Sequence, residues 1–205
     1  YPEHVDIELS SACNLTCPMC YTITQDFKEN VKRTNMEWDL LKKILKECGE
    51  GGVFSIRLSW RGELTLNKHY IDAVKYAKEN GIKEVSTLTN GLLLTPEKFK
   101  ELMDAGIDWI TISVDGTGDT YDRIRAPAKF EDLLDKLAAF KEIKEKANKV
   151  KPVIKVQTIW PAIKDDPDKY YKTYSPFVDQ VTCNQLVDYL QEDEEIPYAP
   201  GFECP

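Results

Sequence analysis

The sequence predicts an α/β fold, an open (β/α)6 partial TIM barrel with a parallel sheet inside and helices outside. Three observations carry this expectation. Strand-like and helix-like segments alternate along the 205 residues, which argues for parallel strands joined by right-handed crossovers. Six such units fall short of the eight that close a barrel. One face of the strands is polar, where a closed barrel would be filled by branched apolar side chains. A flat doubly wound sheet is the alternative, but no Gly-rich phosphate loop follows the first strand to favour it.

The elements follow in order. Val5, Ile7 and Leu9 alternate with Asp6, Glu8 and Ser10, the period of a half-buried strand that leads directly into the run SACNLTCPMC. After a polar stretch, Thr34 or Asn35 can cap a helix from about Met36 to Cys48, with Trp38, Leu41, Ile44 and Leu45 as its apolar stripe and Gly49, Gly51 and Gly52 as its stop. A strand near Val53 to Ser59 and a helix to Asn80 repeat the unit. Next come a strand near Val85 to Thr89 and a helix opened by Thr95 and Pro96 and closed by Gly106. Trp109 to Val114 precedes a helix from about Lys129 to Asn148, Val153 to Trp160 precedes a helix near Asp166 to Tyr174, and a sixth apolar stretch lies near Val178 to Val187.

Strand alternation places Glu8 and Ser10, Arg57 and Ser59, Ser113 and Asp115, and Lys155 and Gln157 on one face. Phe54, Ile56 and Leu58, Ile110, Ile112 and Val114, and Ile154 and Val156 take the other, suited to packing under the helices. A water-accessible, mixed-charge lumen follows, and with it a polar substrate, because unpaired donors and acceptors gain most from a ligand that pairs them. Arg57, Asp115, Lys155 and Gln157 are the candidate substrate contacts. Some of these groups can equally pair with one another, as buried charges must.

Composition narrows the function class. With 42% hydrophobic and 30% charged residues the chain can bury its own core. Its net charge of −8 is spread without a basic block, so nothing draws it to nucleic acid or anionic lipid. No apolar run approaches a membrane span and no secretory signal opens the chain, so a cytoplasmic location is expected, where thiols stay reduced. The chain opens on Tyr1 and stops after Cys204 and Pro205, which reads as a piece of something longer. Residues 1–190 are taken as the core domain and 191–205 as a linker with the start of an extension.

Cys13, Cys17 and Cys20 carry the chemistry. Three thiolates on one tight loop can hold a four-iron cluster with one iron left open, so that a small molecule completes its coordination. Zinc is the rival reading and would need His4 or His69 as its fourth ligand; a chain of this length has no need of a disulfide framework. Cys48 reads as a small buried hydrophobe, and Cys183 either packs or faces the lumen as a hydrogen-atom donor.

C-x3-C-x2-C after the first strand, Arg61-Gly62-Glu63 after the second and Ser-Val-Asp-Gly at 113–116 closing the fourth together resemble the radical S-adenosylmethionine (SAM) enzymes, in particular members carrying a SPASM or twitch extension. The resemblance implies that Cys13, Cys17 and Cys20 bind a [4Fe-4S] cluster whose fourth iron is chelated by SAM. Reductive cleavage of SAM then gives a 5′-deoxyadenosyl radical that abstracts hydrogen from the substrate. It further implies that Met19 approaches adenine, that Gly62 and Glu63 hold the SAM ammonium, and that Ser113 and Arg125 contact the ribose and carboxylate, with Arg123 a competitor and Thr89 and Asn90 weaker candidates. Arg61 and Leu64 depart from the family's Gly-Gly-Glu-Pro pattern, and Glu63 can pair with Arg61 instead. Cys204 resembles the first ligand of an auxiliary Fe–S cluster. A flavodoxin- or ferredoxin-type electron donor and a peptide or small polar substrate are the implied partners. The non-enzymatic alternative is an iron–sulfur electron-transfer protein, which would need the cysteines but not Glu63, Ser113 or a polar lumen.

Overall fold

A computed structural model describes residues 1–186. Six parallel strands lie side by side in chain order: β1 (His4–Asp6), β2 (Ser55–Arg57), β3 (Glu84–Thr89), β4 (Trp109–Ser113), β5 (Val153–Ile159) and β6 (Gln180–Asn184). A doubly wound sheet reverses its strand order at a switch point; this one never reverses. The flat alternative is therefore overturned, and the sheet is the wall of an open (β/α)6 partial barrel.

Seven α-helices accompany the described strands: α1 (Gln25–Asn30), α2 (Trp38–Glu50), α3 (Tyr70–Glu79), α4 (Pro96–Ala105), α5 (Asp119–Ile124), α6 (Phe130–Lys146) and α7 (Pro167–Tyr174). The expected stop and start signals hold for α4, where Thr95 Oγ1 accepts from Lys98 N at 3.3 Å and Gly106 closes the helix at φ 92°. Asp166 caps α7 in the same way. Helix α2 starts later than expected: Glu37 is its N-cap, while Thr34 and Asn35 are taken by the first loop. Ser11 N donates to Thr34 O at 3.0 Å and Ser10 forms an antiparallel bridge with Asn35. Helices α1 and α5, six residues each, lie in stretches too short and polar to show a helical stripe.

Register fixes the two faces. Val5, Ile56 and Val85 share one layer, and Ile110 with Ile154 and Ile112 with Val156 extend the same side under the helices. Leu41, Leu45, Ala73, Val74, Ala77, Phe99, Leu102, Leu137 and Phe140 complete that core, with Phe99 and Phe140 stacked 4.4 Å apart. Phe54 departs from expectation: it stands 56% exposed at the N-terminal end of β2, below the reach of the helices, while Ile56 and Leu58 are buried. Cys48 is buried as expected. Cys183 pairs in register with Thr158, on the helix side, and is exposed, so it neither faces the lumen nor packs among the described residues. Cys204 and the 191–205 extension lie outside the described residues. No helix among those described is long and apolar enough to cross a membrane.

At the N-terminal end of the sheet Asp108 ties three elements together. Its carboxylate accepts from Val85 N at 2.8 Å, Lys78 Nζ at 2.8 Å and Lys151 Nζ at 2.6 Å. Burial opposes the charge, but these three donors outweigh it and hold the Asp108 pKa below its ordinary value of 3.8. A depressed folded-state pKa stabilises above the unfolded value, and that stability is lost as pH falls through the folded one. Asp108→Asn is therefore expected to lower stability by about 1–3 kcal/mol near pH 7. Urea unfolding should show the gap to the parent protein closing below the ordinary pKa of 3.8.

Candidate active site

The C-terminal end of the sheet gathers the loops that follow β1, β2, β3 and β4. The first carries the three cysteines. Cys20 N donates to Cys17 O at 3.0 Å, closing the turn, Leu15 N donates to Cys13 Sγ at 3.4 Å, and the Cys20 sulfur lies 3.1 Å from Thr22 Oγ1. Burial raises the thiol pKa of Cys13, partly offset by the Leu15 N–H; it raises that of Cys17 also, against the pull of the Arg125 cation. A metal that takes these sulfurs must displace their protons.

The second loop packs onto the first. A Cβ at Gly62 would lie 2.2 Å from Ser10 O and 2.5 Å from Ala12 O, and Glu63 N donates to Ala12 O at 2.8 Å. Glycine is thus required here by the approach of two backbones. Glu63 is buried and does not pair with Arg61. Its Oε1 accepts from Thr65 N at 3.1 Å, Thr65 Oγ1 at 2.7 Å and Thr89 Oγ1 at 2.7 Å, and its Oε2 accepts from Asn90 N at 2.7 Å. Arg61 instead joins Glu8 at 2.9 Å. Asn90 continues the chain of contacts, donating from Nδ2 to Asn14 Oδ1 at 2.7 Å and approaching Cys13 Sγ at 3.9 Å.

From β4, Asp115 is only 1% exposed and lies 2.6 Å from an Arg125 Nη that is itself little exposed. Asp115 Oδ1 also accepts from Thr158 Oγ1 and Ile159 N, both at 3.2 Å. Burial works against the charge of Arg125, but Asp115 outweighs it and holds the guanidinium pKa above its ordinary value. Arg125 Nε remains buried without a hydrogen-bond partner. Arg123, its competitor, is exposed on α5.

These groups enclose one cavity of about 320 Å³ whose wall includes Cys13, Cys17, Cys20, Met19, Gly62, Glu63, Asn90, Ser113, Asp115 and Arg125. A second chamber of about 470 Å³ shares Met19, Cys20, Trp60, Arg61 and Leu88 with it and extends to Tyr21, Thr22, Arg57 and Ser59. Trp60 was not singled out by sequence reasoning; a tryptophan following a strand that ends in a glycine loop is the signal that marks it. Lys155 and Gln157 point into the lumen in register with Thr111 and Ser113 but line neither cavity. Asp115 is committed to Arg125 rather than free for a substrate.

The donor set fits an iron–sulfur cubane better than zinc. No three His, Cys, Asp or Glu side chains among the described residues close around a single ion, whereas in a cubane each thiolate holds a different iron. Neither histidine reaches the loop. His4 shares hydrogen bonds with Ser55 and Asp6 at the start of β1, and His69 stacks on Trp38 and meets Asp72 at 3.2 Å.

A partial barrel with a three-cysteine loop at the mouth of its first strand defines a class of cluster-dependent enzymes. Residues 7–159 match the family described as the Radical SAM superfamily, and the chain belongs to that superfamily. Its members use a [4Fe-4S] cluster and SAM. The chain is 35% identical over 115 residues to a PqqA peptide cyclase of Bradyrhizobium diazoefficiens, covering 56% of this chain and 29% of that protein. It is also 35% identical over 113 residues to a GTP 3′,8-cyclase of a Synechococcus species, covering 54% and 31%. The matched stretch thus spans under a third of either relative. Among solved structures, SuiB of Streptococcus suis bound to its precursor peptide SuiA superposes with a TM-score of 0.68 at 15% identity, over 91% of this chain and 40% of that one. That likeness concerns the fold.

Gly62→Ala is expected to force the first two loops apart, at about 1–3 kcal/mol. Urea unfolding measures the cost; an unchanged midpoint would contradict the close approach.

Proposed function

We propose that this chain forms the catalytic core of a radical SAM enzyme in which Cys13, Cys17 and Cys20 hold the [4Fe-4S] cluster and the smaller cavity receives SAM. The observation that carries the reading is the convergence on one cavity of three cysteine thiols, a buried glutamate and an arginine whose Nε is buried and unpartnered. When bound, the reduced cluster supplies the electron and SAM the 5′-deoxyadenosyl group that removes hydrogen from a substrate.

The chain's own residues bind, orient and shield. Arg125, pre-set by Asp115, offers its free Nε edge to a carboxylate, a pairing that lysine cannot reproduce with two parallel bonds. Glu63 already accepts several protein hydrogen bonds, so its contribution to a SAM ammonium is limited to the open side of Oε2, with the loop carbonyls beside Gly62 as further acceptors. Met19 covers the boundary between the two cavities and Ser113 the floor of the inner one. The outer chamber, with Trp60, Tyr21 and Arg57, is the place for substrate. A peptide is the favoured substrate, supported by the resemblance to the PqqA peptide cyclase; the equal identity to the GTP 3′,8-cyclase supports a small polar metabolite as the second reading. A flavodoxin- or ferredoxin-type protein supplies electrons, and an auxiliary cluster through Cys204 belongs to the same proposal.

Anaerobic cluster loading followed by reduction with SAM is expected to release 5′-deoxyadenosine, and Cys17→Ala to abolish it. Release by the alanine variant at the parental rate would overturn the assignment. Arg125→Lys is expected to raise the KM for SAM about 10- to 100-fold with a smaller effect on kcat; an unchanged KM would remove Arg125 from the SAM site.

A further inference from the structure

Among the described residues, Cys20 alone of the three loop cysteines has a side-chain hydroxyl against its sulfur. Thr22 Oγ1 lies 3.1 Å from Cys20 Sγ. Thr22 is only 5% exposed, and its hydroxyl has no other hydrogen-bond partner among the described residues. The backbone sets this meeting. Cys20 is extended and opens a turn of 3-10 helix over Tyr21–Ile23, with Ile23 N donating to Cys20 O at 3.1 Å and Thr24 N to Tyr21 O at 3.0 Å. Thr24 then caps α1 by accepting from Phe27 N at 3.1 Å, and Phe27 is wholly buried. The other two sulfurs have different surroundings. Cys13 Sγ accepts from Leu15 N at 3.4 Å and has Asn90 Nδ2 at 3.9 Å, whereas Cys17 Sγ has no hydrogen-bond donor among the described residues and feels the Arg125 cation instead.

In the free thiol, either atom of the Cys20–Thr22 pair can be the donor. A thiolate held by iron has lost its proton and can only accept, so the threonine hydroxyl must then donate. We propose that Thr22 is a positioning residue for the cluster, acting through Cys20: its hydroxyl donates to the Cys20 thiolate and raises the reduction potential of the cluster. This rests on the reading of Cys20 as a cluster ligand and deepens it. One electron from an external reductant turns [4Fe-4S]2+ into [4Fe-4S]+ with no bond broken, and the added negative charge is shared by the ligand sulfurs. A donor aimed at one of those sulfurs therefore stabilises the reduced form more than the oxidised one. The Leu15 N–H acts in the same sense on Cys13, but it belongs to the backbone, which leaves Thr22 as the donor that substitution can remove. Cys20 and Thr22 both line the outer chamber, so the bond lies on the side assigned to substrate.

The test is a redox titration of the full, cluster-loaded chain without SAM, poised anaerobically with mediators and read by the paramagnetic resonance signal of [4Fe-4S]+. Thr22→Val keeps the shape of the side chain and removes the hydroxyl. It is expected to lower the reduced-to-oxidised ratio at a fixed potential about tenfold, a shift of about 59 mV to more negative potential for a one-electron couple. Thr22→Ser is expected to restore the parental ratio, and Thr22→Ala to shift it as Thr22→Val does. A Thr22→Val potential equal to that of the parent, or a Thr22→Ser potential displaced as far as that of Thr22→Val, would overturn the assignment. A role in packing alone gives the opposite pattern, with Thr22→Val matching the parent and Thr22→Ala departing from it. Melting curves and iron content show whether each variant is folded and loaded, and the comparison of Thr22→Ala with Thr22→Ser carries the test if the valine variant unfolds. Failure of the parent protein to assemble a four-iron cluster overturns the ligand reading together with this inference, whereas a cubane whose potential ignores Thr22 overturns the role of the threonine alone.

Discussion

The buried carboxylate of Glu63 is the constraint on which the site depends. Its backbone N–H fastens the second loop to Ala12, its Oε1 gathers Thr65 and Thr89, and its Oε2 fixes the turn at Asn90. Asn90 then reaches back to Asn14 and Cys13. Three loops from three strands are held in one arrangement by donors converging on a single anion. A buried carboxylate persists only when satisfied in this way. Gly62 belongs to the same device, because without a side chain it lets the two backbones meet.

Asp115 plays a parallel part on the other side of the cavity. It bonds the end of β5 through Thr158 and Ile159 and sets the Arg125 guanidinium, while the tyrosines of α7 steady the loop behind it: Tyr170 donates to Val114 O and Tyr174 to Gly116 O, each at 2.9 Å. The site is thus built from two anchored anions facing one another across the thiols. That arrangement leaves the cysteine loop with its sulfurs on the cavity wall and few competing partners.

The barrel was legible because β3 and β5 alternate with a period of two and α4 carries its own start signal at Thr95 and stop signal at Gly106. The cysteine loop was legible because three cysteines lie within eight residues of sequence. What escaped depended on distance along the chain. Besides its near neighbour Thr65, Glu63 takes Thr89 and Asn90 as partners from 26 and 27 residues away, and nothing local distinguishes these from Arg61. The facing of Cys183 follows from its register with Thr158, which no periodicity in a five-residue strand reveals. Phe54 reads as core by alternation, yet the helices do not extend over the strand's beginning.

The central claim is that Cys13, Cys17 and Cys20 leave one iron of a four-iron cluster open to SAM. Electron paramagnetic resonance of the reduced, oxygen-free protein measures this most directly. The account predicts a [4Fe-4S]+ signal whose shape changes when SAM is added. A mononuclear tetrahedral ion, or a cubane signal unmoved by SAM, would contradict it.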